Sequence, residues 1–261
     1  MLYNVAMQKN KDIGSKLKKY RKIRRLSQMD VELGIESAFG SISRIESGRV
    51  NPTKETIEKI AKLLAFTDRE LDYLIGPTSV PPTIEECDLA EREVAEYFHK
   101  DALIAYLVDD RFRLITMSQA LYRLLDLSDL QIEQVRYKTL VELVINRELG
   151  IRKFFENKYE QNLKLIIERF IYEMGHMIDD EFYIKQKELI MADPMASSIW
   201  KELNNTKSGI FGYNEHKITF SHGGIELPLR YINEPLAKYK RFVIVEYVPT
   251  DELKSLISTV H

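Results

Sequence analysis

Between Leu26 and Gly48 the chain reads LSQMDVELGIESAFGSISRIESG, a stretch in which hydrogen-bonding side chains alternate with regularly spaced aliphatic ones. On a helix starting near Ala38, Ile42 and Ile45 share the inner face, which leaves Phe39, Gly40, Ser41, Ser43 and Arg44 on the outer face or its margin. Small polar residues around an arginine suit the major groove of a DNA duplex, which admits an α-helix and offers guanine O6 and N7 to a guanidinium. Gln28, near the start of the stretch, and Arg49, just past its end, carry donors for phosphate oxygens; such contacts position a protein without reading sequence. Each residue also has a plainer reading. Ser41 and Ser43 are then solvated surface, and Phe39 is a ring tucked into the domain rather than one set against a thymine methyl. Ile42, Ile45 and Leu33 are expected in the core.

Charge is distributed in a way that fits a polyanion. The chain has 38 Lys and Arg against 40 Asp and Glu, but residues 1–76 carry 15 of the basic and 10 of the acidic residues. The first 76 residues are therefore net positive and the remainder net negative. Lys9, Lys11, Lys16, Lys18, Lys19, Arg21, Lys22, Arg24 and Arg25 share their stretch with one acid, Asp12. Cations beside DNA gain by counterion release. A solvated helix face has the same composition, so charge alone does not choose.

The elements that must hold these residues are helical. Ile13, Leu17, Tyr20 and Arg24 recur at one-turn spacing, and Ser27 stands where an N-cap starts a second helix. Asn51-Pro52-Thr53 marks another boundary, followed by Ile57, Ile60, Ala61 and Leu64 on one face. Thr67 and Glu70 have capping-box spacing. The next helix should stop at Gly76-Pro77. Residues 1–76 are thus expected to form an all-α domain of five short helices.

Gly76 to Pro82 (GPTSVPP) has a linker composition, and Glu85 to His99 reads as a connecting helix, so residues 77–99 join the first domain to a second over 100–261. There, 101–109 (DALIAYLVD) and 112–117 (FRLITM) read as strands around a polar turn at Asp109-Asp110-Arg111. Ser118 can cap a helix over 119–127, and helical patterns run from Thr139 to about Asn204. Ile225, Leu227, Leu229 and Tyr231 alternate with polar residues and Pro228, which points to an edge strand or bulge; 241–248 (RFVIVEYV) is strongly β-forming. The order implies a multidomain protein, with an α+β domain around an antiparallel sheet following the helical one.

Several function classes find no machinery. His99, His176, His216 and His222 are scattered, without cysteine partners or HExxH-like spacing, and no metal or cofactor is expected. There is no GxSxG elbow, Walker loop or GxGxxG after a strand, so no catalytic residue is assigned. Asp179-Asp180-Glu181 reads as an acidic turn. No apolar run is long enough for a membrane helix, and Met1 to Lys11 lacks the pattern of a secretory signal. Cys87 is the only cysteine, as suits a reducing cytoplasm.

Ser27-Gln28, Ile42-Ser43-Arg44-Ile45-Glu46, Gly48 and Asn51-Pro52 fall without a gap in the order found in the XRE family of phage-repressor-like helix-turn-helix proteins, which this region of about 60 residues resembles. Glu32 and Glu36 depart from that family's usual alanine and turn glycine. The resemblance implies double-stranded DNA as partner, Gln28 as a backbone anchor, and Glu46 paired with Arg21 as scaffold. Residues 101–250 more weakly resemble the PAS-like domain of MmyB-type regulators through ALIAYLVDDRFRLITMSQAL, FSHGGIELPLRYIN and RFVIVEYVP, with Ser118 in place of the usual Asn. That implies a pocket for a small apolar or amphipathic ligand, for which the candidates are Phe155, Tyr159, Phe170, Met174, Trp200, Phe220 and Tyr247. Plain core is the other reading of each. A peptide-responsive helical-repeat receptor and a fused enzyme are the alternatives for this part. One recognition helix spans few base pairs, so a homodimer is expected, with its contact in the second domain.

Overall fold

The structure is a computed structural model that describes residues 2–100, 103–155, 158–177, 179–205, 217–222 and 225–250. It divides into two units, Met1–Val80 with His176–Asp180, and Pro81–Gly175 with Glu181–His261. Among the described residues no helix is long and apolar enough to cross a membrane.

The first unit contains α1 (Leu2–Ile23), α2 (Gln28–Gly34), α3 (Ser41–Glu46), α4 (Lys54–Leu63) and α5 (Asp68–Ile75). Local chemistry sets most of the boundaries. The Ser27 hydroxyl accepts the Asp30 amide while the Asp30 carboxylate accepts the Ser27 amide, and Thr67 and Glu70 repeat this arrangement at α5. Thr53 caps α4. Leu17, Tyr20, Val31, Ile35, Ile42, Ile45, Ile57, Ile60, Leu64, Tyr73 and Leu74 point inward. Leu33 does not: it is 64% exposed, against the expectation that it is core. Val31 and Ile35, four residues apart, form the buried stripe of α2, and Leu33 lies about 200° round from Val31 on the opposite side. The linker contains one 3-10 turn, Pro77–Ser79. Within this unit the Tyr20 hydroxyl donates to the His176 carbonyl, and Tyr73 donates to Asp179 Oδ1 at 3.0 Å.

The second unit opens with α6 (Ile84–Phe98), followed by β1 (Ile104–Asp109), β2 (Leu114–Met117), α7 (Gln119–Leu124), α8 (Asp129–Val135), α9 (Leu140–Ile145), α10 (Tyr159–Met174), α11 (Glu181–Ala192), α12 (Pro194–Asn205), β3 (Lys217–His222), β4 (Ile225–Pro235) and β5 (Phe242–Pro249). The five strands make one antiparallel sheet in the order β2-β1-β5-β4-β3. At the β1–β2 turn the Asp109 carboxylate accepts the amides of Arg111 and Arg113, both at 2.9 Å, which replaces ladder bonds that a tight turn cannot make.

Alternation along the strands separates the two faces of the sheet. Ala105, Leu107, Phe242 and Ile244 pack with Cys87, Ala90, Val94 and Phe98 of α6. Helix α6 is therefore packed into the core of this unit, which begins well before residue 100. Tyr97 marks the same face by donating to Glu246 of β5 at 2.7 Å. Tyr106, Tyr231 and Tyr247 stand on the opposite face and line a pocket.

Pro228 corrects the expectation of an edge strand, because β4 lies between β5 and β3. The β4–β5 ladder begins at Leu229, so Pro228 sits just past its end, where its missing N–H breaks no regular pair. The edge belongs to β3. There the Asn162 side chain of α10 donates to the Thr219 carbonyl at 2.8 Å and accepts the Thr219 amide at 3.2 Å, occupying both outward backbone groups of that residue.

Candidate functional site

The segment with the richest hydrogen-bonding potential forms the exposed side of α2, α3 and the turns that flank them. α3 starts at Ser41, three residues later than the sequence pattern suggests, because Gly40 takes a left-handed φ of 78° immediately before it. Phe39 and Gly40 therefore lead into the helix instead of lying along it. Phe39 is 76% exposed, which rules out a ring tucked into the domain. Ser43, Arg44 and Arg49 are exposed and Ser41 is half-buried, its hydroxyl 2.8 Å from that of Ser37. Arg44 Nε donates back to the Gly40 carbonyl at 3.3 Å, a long bond that leaves the two terminal nitrogens of the guanidinium for another partner. Ile42 and Ile45 anchor the other side of α3 in the core.

A buried ion pair fixes this helix from beneath. Glu46 Oε1 accepts Arg21 Nε at 2.6 Å, and Oε2 accepts Arg21 Nη2 at 2.9 Å and Gln28 Nε2 at 2.7 Å. Arg21 Nη1 donates to the Leu26 carbonyl at 2.7 Å, so one guanidinium ties the end of α1 to α3 and to the entry of α2. Its fork geometry is bidentate, and the paired carboxylate pushes the Arg21 pKa further up. Gln28 has two amide hydrogens, of which Glu46 takes one. The second is available to a phosphate, with the side chain already oriented.

Two residues that depart from the family pattern acquire roles. Glu32 is buried, and its Oε1 accepts the Ile42 amide at 3.1 Å, so it satisfies one of the orphan donors at the start of α3. Sequence reading noted only that Glu32 stands in place of alanine; the usable signal was an acid beside Val31 in the helix preceding a turn. Glu36 takes φ 55°, the left-handed conformation that the usual glycine would adopt freely. Gly14 was also missed. A Cβ there would lie 2.2 Å from the Ile45 carbonyl, so the absence of a side chain is what lets α3 approach α1 so closely.

The basic stretch contributes less free surface than its composition suggests. Lys16 is buried, with Nζ donating to the Tyr73 and Ser79 carbonyls and lying over the Tyr73 ring. Arg21 is held by Glu46, and Arg24 pairs with Glu70 at 2.6 Å. Lys18, Lys19, Lys22 and Arg25 remain exposed. Lys9 and Lys11 lie where side chains are outside the description.

In the second unit a pocket lies between the sheet and the helices. Phe155, Phe220 and Tyr247 line it; Tyr159, Phe170, Met174 and Trp200 do not. Phe170 stacks on Tyr183 of α11, with ring centroids 5.4 Å apart, and packs near Trp200 of α12 at 6.3 Å, so these aromatics join helix to helix. Tyr159 lies under the Arg152 guanidinium. Among the described residues no group of three His, Cys, Asp or Glu side chains could hold a metal ion. Of the acidic turn, Asp179 accepts the Tyr73 hydroxyl. His216 lies outside the described residues.

Residues 17–71 match the helix-turn-helix family model, a span that takes in all of α2, α3 and α4 and the first half of α5. The match places an XRE-type helix-turn-helix there and supports a DNA-binding transcription regulator. No curated protein matches the chain.

Proposed function

We propose that the chain is a sequence-specific DNA-binding transcription regulator without enzymatic activity, reading duplex DNA through Phe39, Gly40, Ser41, Ser43 and Arg44 and anchoring on phosphates through Gln28 and Arg49. The observation that carries this reading is the contrast between the two sides of α3. Its inner side is locked by Ile42, Ile45 and the Arg21–Glu46–Gln28 network, while the outer side presents exposed donors, with the exposed Phe39 ring in the turn that leads into the helix. A rigid support beneath adaptable contacts is what groove recognition needs.

The second unit is the regulatory half in this reading, a PAS-like sensor. An antiparallel sheet covered by α6 on one face, with a pocket between its other face and the helices, supports it. A small apolar or amphipathic molecule is the proposed effector, because the lining is almost wholly hydrocarbon and aromatic. A helical-repeat receptor draws no support from a unit built on five strands. The regulator acts as a homodimer, so that two copies of α3 enter successive major grooves about 34 Å apart.

Selection of sites from a random duplex pool by the full chain tests the central part. The expected result is enrichment of a motif with approximate two-fold symmetry. A recovered pool as random as the input sinks the reading.

A further inference from the structure

Helix α6 covers only part of its face of the sheet. The buried cluster beneath it draws Ala105 and Leu107 from β1, Ile115 from β2, and Phe242 and Ile244 from β5, and takes no residue of β3 or β4. In the ladder Ile232 of β4 pairs with Glu246 of β5, and Glu246 with Ala105 of β1, so Ile232 looks out on the same side as α6. It is 53% exposed. Arg230 and Glu234, two positions to either side of it along the strand, share that side. Glu234 is exposed, and Arg230 is half-buried with an Nε that is shielded from solvent and meets no hydrogen-bond partner.

Neither charged side chain forms an ion pair among the described residues. Four positions along a strand separate their Cα atoms by about 13 Å, too far for the two to answer each other within one copy. Arg113, Arg136 and Arg241 of the same unit, also half-buried, each hold an acid. A sheet face that stays in water carries polar groups at alternate positions. This one has an aliphatic side chain at its centre, with opposite charges spaced equally on each side. A two-fold axis at Ile232, lying between two such faces and running across the strands, sets Arg230 of each copy opposite Glu234 of the other. Equal spacing of unlike charges about an apolar centre is what a self-complementary interface requires. Packed sheets keep their strands within about 30° of each other, so both pairs can form together.

We propose that this open part of the sheet, centred on Ile232 and flanked by Arg230 and Glu234, is the surface on which a second copy of the chain docks. The proposal rests on the reading of the protein as a homodimer joined through its second unit. It adds the face that is used and the charge pairs that set its register. Docking gives each Arg230 the carboxylate that it lacks within one copy, and a guanidinium bonding a carboxylate through two N–H groups fixes orientation as well as adding attraction.

Sedimentation equilibrium of the full chain tests it by charge reversal. The wild type should be a dimer. Arg230→Glu and Glu234→Arg each place like charges across both contacts, and each should raise the dimer dissociation constant at least about tenfold. Their circular dichroism should stay that of the wild type, because neither side chain has an ion-pair partner within the copy. The double variant, Arg230→Glu with Glu234→Arg, restores opposite charges and should dimerise like the wild type. An equimolar mixture of the two single variants should also associate, since each supplies the charge that the other has inverted. Should a reversal fail to fold, Arg230→Gln and Glu234→Gln carry the test, each weakening the dimer. A dimer that neither substitution weakens, or losses that neither the double variant nor the mixture repairs, overturns this face while leaving the dimer. A monomeric wild type overturns the dimer reading itself.

Discussion

Arg44 and Glu46 sit two positions apart on one short helix and do opposite work. Arg44 is exposed and holds only a long bond to Gly40, so its removal should leave the fold intact. We expect Arg44→Ala to melt like the wild type and to weaken binding to a selected site by about 1–3 kcal/mol, with relaxed preference at one base step. Equal losses on selected and random duplexes would make Arg44 a phosphate contact instead. Glu46, whose side chain is 4% exposed, answers three donors from Arg21 and Gln28. Glu46→Ala strands a buried guanidinium, which costs about 3 kcal/mol or more. Thermal denaturation should show a clear fall in melting temperature, and an unchanged transition would contradict the scaffold role.

At the scale of elements, Glu36 carries the cost of the turn between α2 and α3. A non-glycine residue at φ 55° is strained, and its side chain is exposed, so Glu36→Gly should stabilise the protein by about 1 kcal/mol. Chemical denaturation checks this; a destabilised variant would mean that the Glu36 side chain makes a contact worth more than the strain. How much of this could be read from the chain depended on range. Caps and stops are local, so Ser27, Thr53, Thr67 and Ser118 announced their helices. The XRE-like order of Ile42 to Gly48 likewise located α3, although the left-handed Gly40 moved its start. Non-local facts were illegible. Leu33 faces outward because Val31 and Ile35 already fill the inner stripe, and Pro228 lies in an inner strand because the last strand inserts beside β1. In the pocket the same limit applied. Phe155, Phe220 and Tyr247 reach it, whereas Phe170 and Trp200 have identical hydrophobic character but meet α11 and α12.

For the whole molecule, the proposed dimer follows from the small footprint of one α3 on a duplex, and its contact is assigned to the second unit. Sedimentation of the full chain should show a dimer, and the fragment from residue 83 onward should retain it. A monomeric fragment beside a dimeric full chain would move the contact to the first unit. An effector can then act only if it binds the DNA-competent and incompetent arrangements with different affinities. All of this depends on the claim that the basic first unit reads DNA sequence. The most direct test titrates the full chain against its selected duplex and a scrambled duplex across a range of salt concentrations. Affinity for both should fall linearly on logarithmic axes as phosphate counterions are released, with the selected duplex held about a thousandfold or more tighter throughout. Indifference to salt, or equal affinity for the two duplexes, would contradict the account.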